Sequence, residues 1–213
     1  MQLYSFFNSS TSYRVRIALA LKGLVADYHG VNLRAGEQLG AQHRELNPVG
    51  GVPVLVDDAG VVLTQSLAII DYLDARHPEV PLVPRDPLQR ARVLEVANLI
   101  ACDIHPINNL RVLGYLQRNF EASVEQKGAW YAHWVAEGLA AVEELLRRHG
   151  SEPYCFGAVP TLADCCLVPQ VANAERMGCD LSGFPRVLAV YRHCQAQTAF
   201  QQAAPALQAD FIQ

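Results

Sequence analysis

No stretch of this chain approaches the roughly 20 uninterrupted apolar residues of a membrane-spanning helix. Met1 leads straight into a patterned segment, without a basic leader or a long apolar run. A cytoplasmic protein without a membrane partner is therefore expected. HExxH, GxSxG, the P-loop and GxGxxG are all missing, so metal, serine-triad and nucleotide chemistry lack their usual signatures and no metal is expected. The six cysteines, Cys102, Cys155, Cys165, Cys166, Cys179 and Cys194, form no CxxC pair and no zinc spacing. Lying among Ala, Leu and Val from residue 102 onward, they are expected to be buried, reduced thiols that pack as small hydrophobes. Charge is sparse as well: charged residues make up 18%, the net charge is -4, and the 17 Lys and Arg are scattered, with only Arg147 and Arg148 adjacent. That leaves no continuous positive face for a phosphate backbone, so nucleic acid is not an expected partner. No internal repeat or low-complexity tract is present.

What remains is an ordinary globular composition, 51% apolar over 213 residues, enough for one large core or two small ones. The first 80 residues alternate strand and helix signals. Leu3 to Phe7 reads as a strand, Thr11 to Leu21 as a helix stopped by Gly23, and Tyr28 to Leu33 as a second strand. A short helix near Leu39 to Leu46 precedes the Gly- and Pro-rich loop Asn47 to Pro53. Val54 to Val56 and Val61 to Leu63 then flank the turn Asp57 to Gly60, and a helix from Ser66 to about Arg76 closes the unit. Prolines at 78, 81, 84 and 87 mark a linker. Beyond it only helical windows appear, at 88 to 118, 124 to 149, 161 to 177 and 185 to 203. The expected plan is an α/β domain over residues 1-80, ordered βαβ then αββα, followed by an all-α domain over 88-213.

Three junctions in the first domain can carry chemistry. Asn8 to Arg16 is a hydroxyl-rich loop that opens a helix, where backbone N–H groups and the positive helix end suit an anion such as a thiolate. The alternative is that Ser10 or Thr11 only caps the helix. Val52-Pro53 stands at a strand entrance, where a cis bond turns the backbone of Val52 toward a peptide-like ligand and a trans bond simply starts a strand. At Gln65-Ser66, both side chains and the helix amides can hold an α-carboxylate, or Ser66 only caps.

In the second half, Thr161 and Asp164 have the spacing of a capping box, a structural role. Arg111 and Arg176 lie in apolar helical windows, either for bidentate carboxylate recognition or as exposed arginines whose stems cover apolar surface. Asp103, His105, Asn108 and Asn109 cluster beside Pro106.

Together these segments resemble the glutathione transferase superfamily, which pairs a thioredoxin-like domain with an all-helical one. Ser9-Ser10-Thr11-Ser12-Tyr13-Arg14-Val15-Arg16-Ile17-Ala18-Leu19-Ala20-Leu21-Lys22-Gly23 is similar to the zeta-class signature SSCSxRVRIALxLKG. Gln65 to Ile70, Cys102 to Pro106 and Leu167 to Ala174 look like segments of the bacterial maleylacetoacetate and maleylpyruvate isomerases. The resemblance implies glutathione as cofactor and cis-trans isomerisation of a dicarboxylic maleyl-keto acid. It gives Ser9 the catalytic role, with Ser10 and Thr11 beside the sulfur. It makes Pro53 a cis-proline that presents Val52 to the cysteinyl part of glutathione. Gln65 and Ser66 match residues that hold the γ-glutamyl end, while Gln38, His105 and Asn109 fall near the glycyl end. Arg176 and Arg111 correspond to holders of substrate carboxylates, and Asp103 to a residue near a homodimer interface and the neighbouring subunit's glutathione. Two departures stand out. Asn8, at a substrate-binding position, replaces an arginine found in many members, so that one substrate-carboxylate contact is either missing or replaced. Thr11 replaces the signature's cysteine, which leaves glutathione as the nucleophile. A general transferase or dehalogenase on α-halo acids, and a noncatalytic binding module, are the rival readings.

Overall fold

The computed structural model describes residues 1–212 and divides the chain into two compact units, Met1–Leu82 with the segment from Gln195 onward, and Val83–Cys194.

The first unit is built on a four-stranded sheet ordered β2-β1-β3-β4, from β1 (Gln2–Ser5), β2 (Asp27–Gly30), β3 (Val54–Val56) and β4 (Val62–Thr64). β1 pairs parallel to β2, with Leu3 opposite Tyr28, and antiparallel to β3, with Leu3 opposite Leu55. A parallel pair needs a crossover connection, and α1 (Ser10–Leu21) supplies it. α2 (Ala41–Leu46) and α3 (Ser66–Arg76) complete the βαβ and αββα halves in the expected order. The second strand is shorter than its apolar run, ending at Gly30, where Val31 donates to the Ser5 carbonyl at 2.7 Å and then packs inward. Leu3, Val15, Ile17, Leu55, Ile69, Ile70 and Leu73 are at most 2% exposed and form the core that fixes the start of α1 and the start of α3.

The expected helical domain over 88-213 differs from the structure at its end. α9 (Thr198–Gln202) packs on α1 within the first unit: Phe200 is fully buried, and its carbonyl accepts from Tyr13 Oη at 3.3 Å. The Ala203 carbonyl accepts from Arg16 Nε at 2.9 Å. Apolar burial and a buried guanidinium thus draw this segment to the first core, which no local periodicity reveals. The helical window at 185 to 203 accordingly breaks into α8 (Pro185–Gln195) and α9.

The second unit contains α4 (Pro87–Asn98), α5 (Leu110–Phe120), α6 (Val124–His149), α7 (Leu162–Arg176) and α8. The window at 88 to 118 is interrupted. α4 passes into a π-helical stretch at Leu99–Ile104 and a 3-10 turn at Pro106–Asn108 before α5 begins. Pro106 has no N–H for an α-helical ladder, and π-turns often accompany functional sites. Asp103 lies in this stretch, and His105 and Asn109 bracket the turn after it. Ile104 is fully buried against α6 at Gly138, where an added Cβ falls 2.2 Å from Ile104 Cγ1. The Thr161–Asp164 capping box is present: the Asp164 carboxylate accepts from Thr161 N at 2.7 Å, Thr161 Oγ1 at 2.9 Å and Cys155 N at 2.8 Å.

The cysteine expectation needs correcting at two positions. Cys155, Cys165, Cys166 and Cys194 are buried, but Cys102 is exposed on the π-helical stretch and Cys179 is half-buried; none forms a disulfide. Among the described residues no helix is long and apolar enough to cross a membrane, and no cluster of side chains suits a metal ion.

Gly138→Ala is expected to destabilise the fold by about 1 to 3 kcal/mol through overpacking against Ile104, measured as a lowered urea midpoint.

Candidate functional site

The expected site residues fall into one group per unit. In the first unit, the chain leaves β1, turns through Phe6, Phe7 and Asn8, and enters α1. Ser9 is the N-cap: its backbone is extended, and its Oγ accepts from Ser12 N at 3.2 Å. This corrects the capping assignment, because Ser10 and Thr11 are already helical and the cap is the serine singled out as catalytic. Thr11 Oγ1 donates to the Val52 carbonyl at 2.8 Å and lies 2.9 Å from Ser9 Oγ. A hydroxyl has one proton. With that of Thr11 committed to Val52, the Ser9 hydroxyl is the donor to Thr11. Val52, Thr11, Ser9 and the Ser12 amide thus form one directed chain of hydrogen bonds. The Val52-Pro53 bond is cis, as the resemblance implied, and Pro53 is buried.

The loop is held from behind by Arg16, whose guanidinium donates to Ser5 Oγ at 3.1 Å and to the carbonyls of Phe6 and Phe7 at 3.3 and 2.9 Å. Burial lowers its pKa to about 10, which leaves it charged at neutral pH. Asp210 adds a second fastening: its carboxylate accepts from Phe7 N at 3.0 Å and from Tyr28 Oη at 2.6 Å. Neither residue was singled out from the sequence. Arg16 belongs to the quoted signature but carries no spacing signal toward carbonyls nine and ten residues earlier, and Asp210 lies some two hundred residues from Phe7.

Gln65 and Ser66 sit at the start of α3, but not as a side-chain cap. Helical geometry begins at Ser66, and Gln65 occupies the cap position with no capping side-chain bond. Gln65 has φ 67 and ψ 117, a region that L-residues rarely occupy, and its side chain is exposed. Backbone held there marks a position over-determined by its surroundings, a frequent trait of binding sites. Ser66 is buried, and its Oγ accepts from Arg14 Nη1 at 3.3 Å. Gln38, in the 3-10 turn Glu37–Leu39, has a buried Oε1 with no hydrogen-bond partner.

In the second unit, Asn109 Nδ2 lies 3.3 Å from His105 Nε2, and Asn109 also caps α5 by accepting from Arg111 N at 3.1 Å. Asn108 donates to the Tyr131 carbonyl at 3.2 Å. Burial pushes the Tyr131 hydroxyl up to about 12, with Arg176 pulling it back. Arg176 is exposed and donates to Asn173 Oδ1 at 2.9 Å. Arg111 and Asp103 are exposed.

The first unit therefore presents a serine hydroxyl and helix amides at one end of α1, and an anion-ready helix start at α3. This donor set fits a peptide-like thiol with a terminal carboxylate. The glutathione S-transferase N-terminal domain family matches residues 8–76, and the C-terminal domain family matches 128–193. A maleylacetoacetate isomerase of Pseudomonas aeruginosa is 49% identical over 99% of this chain and 98% of its own. The chain belongs to the glutathione S-transferase family. Within the family its likeness is to zeta-class members. The solved holo structure of a maleylpyruvate isomerase, described as a zeta-class bacterial glutathione S-transferase, superposes with TM-score 0.96 at 45% identity, covering 100% of both chains. A maleylacetoacetate isomerase of Methylobacterium extorquens, solved with bound malonate and glutathione, gives TM-score 0.96 at 34% identity, also over 100% of both chains. The α/β plus all-helical plan read from the pattern, and made thioredoxin-like by the resemblance, is thus that of this transferase family.

Gln65→Gly is expected to leave stability within about 1 kcal/mol, since relief of the unfavourable backbone offsets the entropy of glycine. It is expected to weaken glutathione binding at least fivefold by calorimetry.

Proposed function

We propose that this transferase is a glutathione-dependent isomerase that converts the cis double bond of a maleyl-keto acid, maleylacetoacetate or a close analogue, to trans in aromatic-compound catabolism. The observation that carries this reading is the Ser9–Thr11–Val52 hydrogen-bond chain at the head of α1, in a chain whose close relatives are maleylacetoacetate and maleylpyruvate isomerases.

When bound, glutathione supplies a thiol sulfur whose reversible addition makes the double bond single and free to rotate. The chain's own part is to hold that sulfur ionised and the substrate in place. Ser9 Oγ sits at the end of α1 where first-turn amides and the helix dipole favour negative charge. Its O–H needs only to rotate away from Thr11 to donate to a thiolate, and the Ser12 amide, which donates to Ser9 Oγ, keeps the oxygen in position during that rotation. Val52 and Pro53 present a backbone edge for the cysteinyl part, and Gln65 with Ser66 a helix start for the γ-glutamyl carboxylate. In this reading Gln38, His105 and Asn109 serve the glycyl end, and Arg111 and Arg176 clamp the substrate carboxylates. Thr11 has no thiol, so the reacting sulfur belongs to glutathione.

One residue favours a second reading. With Asn8 in place of arginine, fewer fixed cations await a dicarboxylate, which suits a general transferase or dehalogenase acting on smaller α-halo acids. The two differ in stoichiometry on a monohalo acid, which ends as a thioether that consumes glutathione, whereas isomerisation leaves glutathione unconsumed. A cytoplasmic location agrees with the six free cysteines. A homodimer, with Asp103 near the interface, is also part of this reading, and sedimentation near twice the 23.4 kDa chain mass is the expected result.

Maleylacetoacetate and maleylpyruvate assayed side by side with substoichiometric glutathione are expected to turn over many times per glutathione. Consumption of one glutathione per turnover overturns the isomerase reading. Ser9→Ala is expected to lower kcat at least tenfold, about 1.4 kcal/mol of barrier, and unchanged turnover removes Ser9 from the mechanism.

A further inference from the structure

Helix α1 buries two arginines two residues apart, and their surroundings are opposite. Arg16, 5% exposed, donates to three carbonyls and one hydroxyl. Arg14 is more deeply buried, at 1% exposure, yet its Nη1 bond to Ser66 Oγ is a long 3.3 Å, and its Nε and Nη2 have no hydrogen-bond partner. A guanidinium cannot shed its charge, and a buried charge with unsatisfied donors is unfavourable unless an opposite charge compensates it. No acidic residue stands in the first turn of α1 or of α3.

The direction of the charge is set by Ser66. This serine is the first residue of α3, an 11-residue helix whose N-cap Gln65 contributes no side-chain bond. First-turn amides, helix dipole and buried guanidinium therefore converge on one place. Because Ser66 Oγ accepts from Arg14, its own proton is free to point away from Arg14 and donate to a ligand.

We propose that Arg14 is a positioning residue for carboxylate recognition at Ser66. It orients the serine hydroxyl as a donor and supplies, from behind, the positive charge that makes the start of α3 selective for a carboxylate over a neutral group. This rests on the reading of Ser66 as holder of the γ-glutamyl carboxylate of glutathione, and it assigns the charge for that recognition to a residue that does not touch the ligand. It also accounts for the contrast with Arg16, whose charge is spent on the fold.

The test compares two ligands by calorimetry: glutathione, and the same tripeptide with its γ-glutamyl α-carboxylate replaced by a carboxamide. The wild-type protein is expected to favour glutathione by at least thirtyfold. Arg14→Met, and Arg14→Gln, which keeps a donor for Ser66 Oγ without the charge, are each expected to shrink that preference to threefold or less. Arg14→Lys keeps the charge and is expected to retain most of it. A purely structural role lowers affinity for both ligands alike and leaves the ratio where it was. An unchanged ratio in either neutral variant overturns the proposal, as does a wild-type protein that binds both ligands equally. A wild-type protein that binds neither ligand overturns the glutathione reading together with it, whereas an unchanged ratio in the variants removes Arg14 alone.

Discussion

A chain that leaves a central strand and turns at once into a helix must find donors for the carbonyls of the turn. In this protein Arg16 supplies them. Its guanidinium reaches Ser5 Oγ and the carbonyls of Phe6 and Phe7 on one side and the carbonyl of Ala203 on the other. The bonds are charge-assisted and buried, and so stronger than their neutral counterparts. With those carbonyls turned inward, the next residues emerge in the extended geometry that lets Ser9 cap α1. Every feature proposed for sulfur activation follows from that exit angle. The side chain that sets it lies on the same helix it helps to start.

The hydroxyls beyond that point are organised by proton count. Thr11 spends its single proton on Val52, so Ser9 must direct its own toward Thr11 while its oxygen receives the Ser12 amide. A cysteine at position 11, as in the commoner signature, donates far more weakly. The threonine therefore ties the N-terminal end of α1 to the loop before β3. That loop carries the backbone edge assigned to glutathione, so one side chain couples the sulfur end of the site to its peptide end.

The order of elements in the first unit and the extent of α3 and α6 were legible because apolar period and turn residues agree there. Ser66 to Arg76 and Val124 to His149 are the ranges read from pattern and the ranges found. Where expectation and structure part, a distant contact decides. Phe200 and Ala203 leave the helical unit for the core of the first because Tyr13 and Arg16 receive them. Cys102 is exposed on a π-helical stretch whose buried positions are Ile100 and Ile104. Of the site, Ser9, Thr11 and Val52 were named from local motifs that the resemblance made meaningful, and the structure joins them. Arg14 passed unassigned: its partner lies 52 positions away, and a charge on an apolar helix reads from sequence as a side chain seeking solvent.

The return of the chain to its first unit has a consequence for how the protein is made. Residues 83–194 form an insertion between the two parts of one core. During synthesis the sheet and α1 must wait through more than a hundred intervening residues before Phe200 arrives. Until then Arg16 lacks one of its carbonyls and Tyr13 its acceptor. The unit that begins the chain is thus the one completed last.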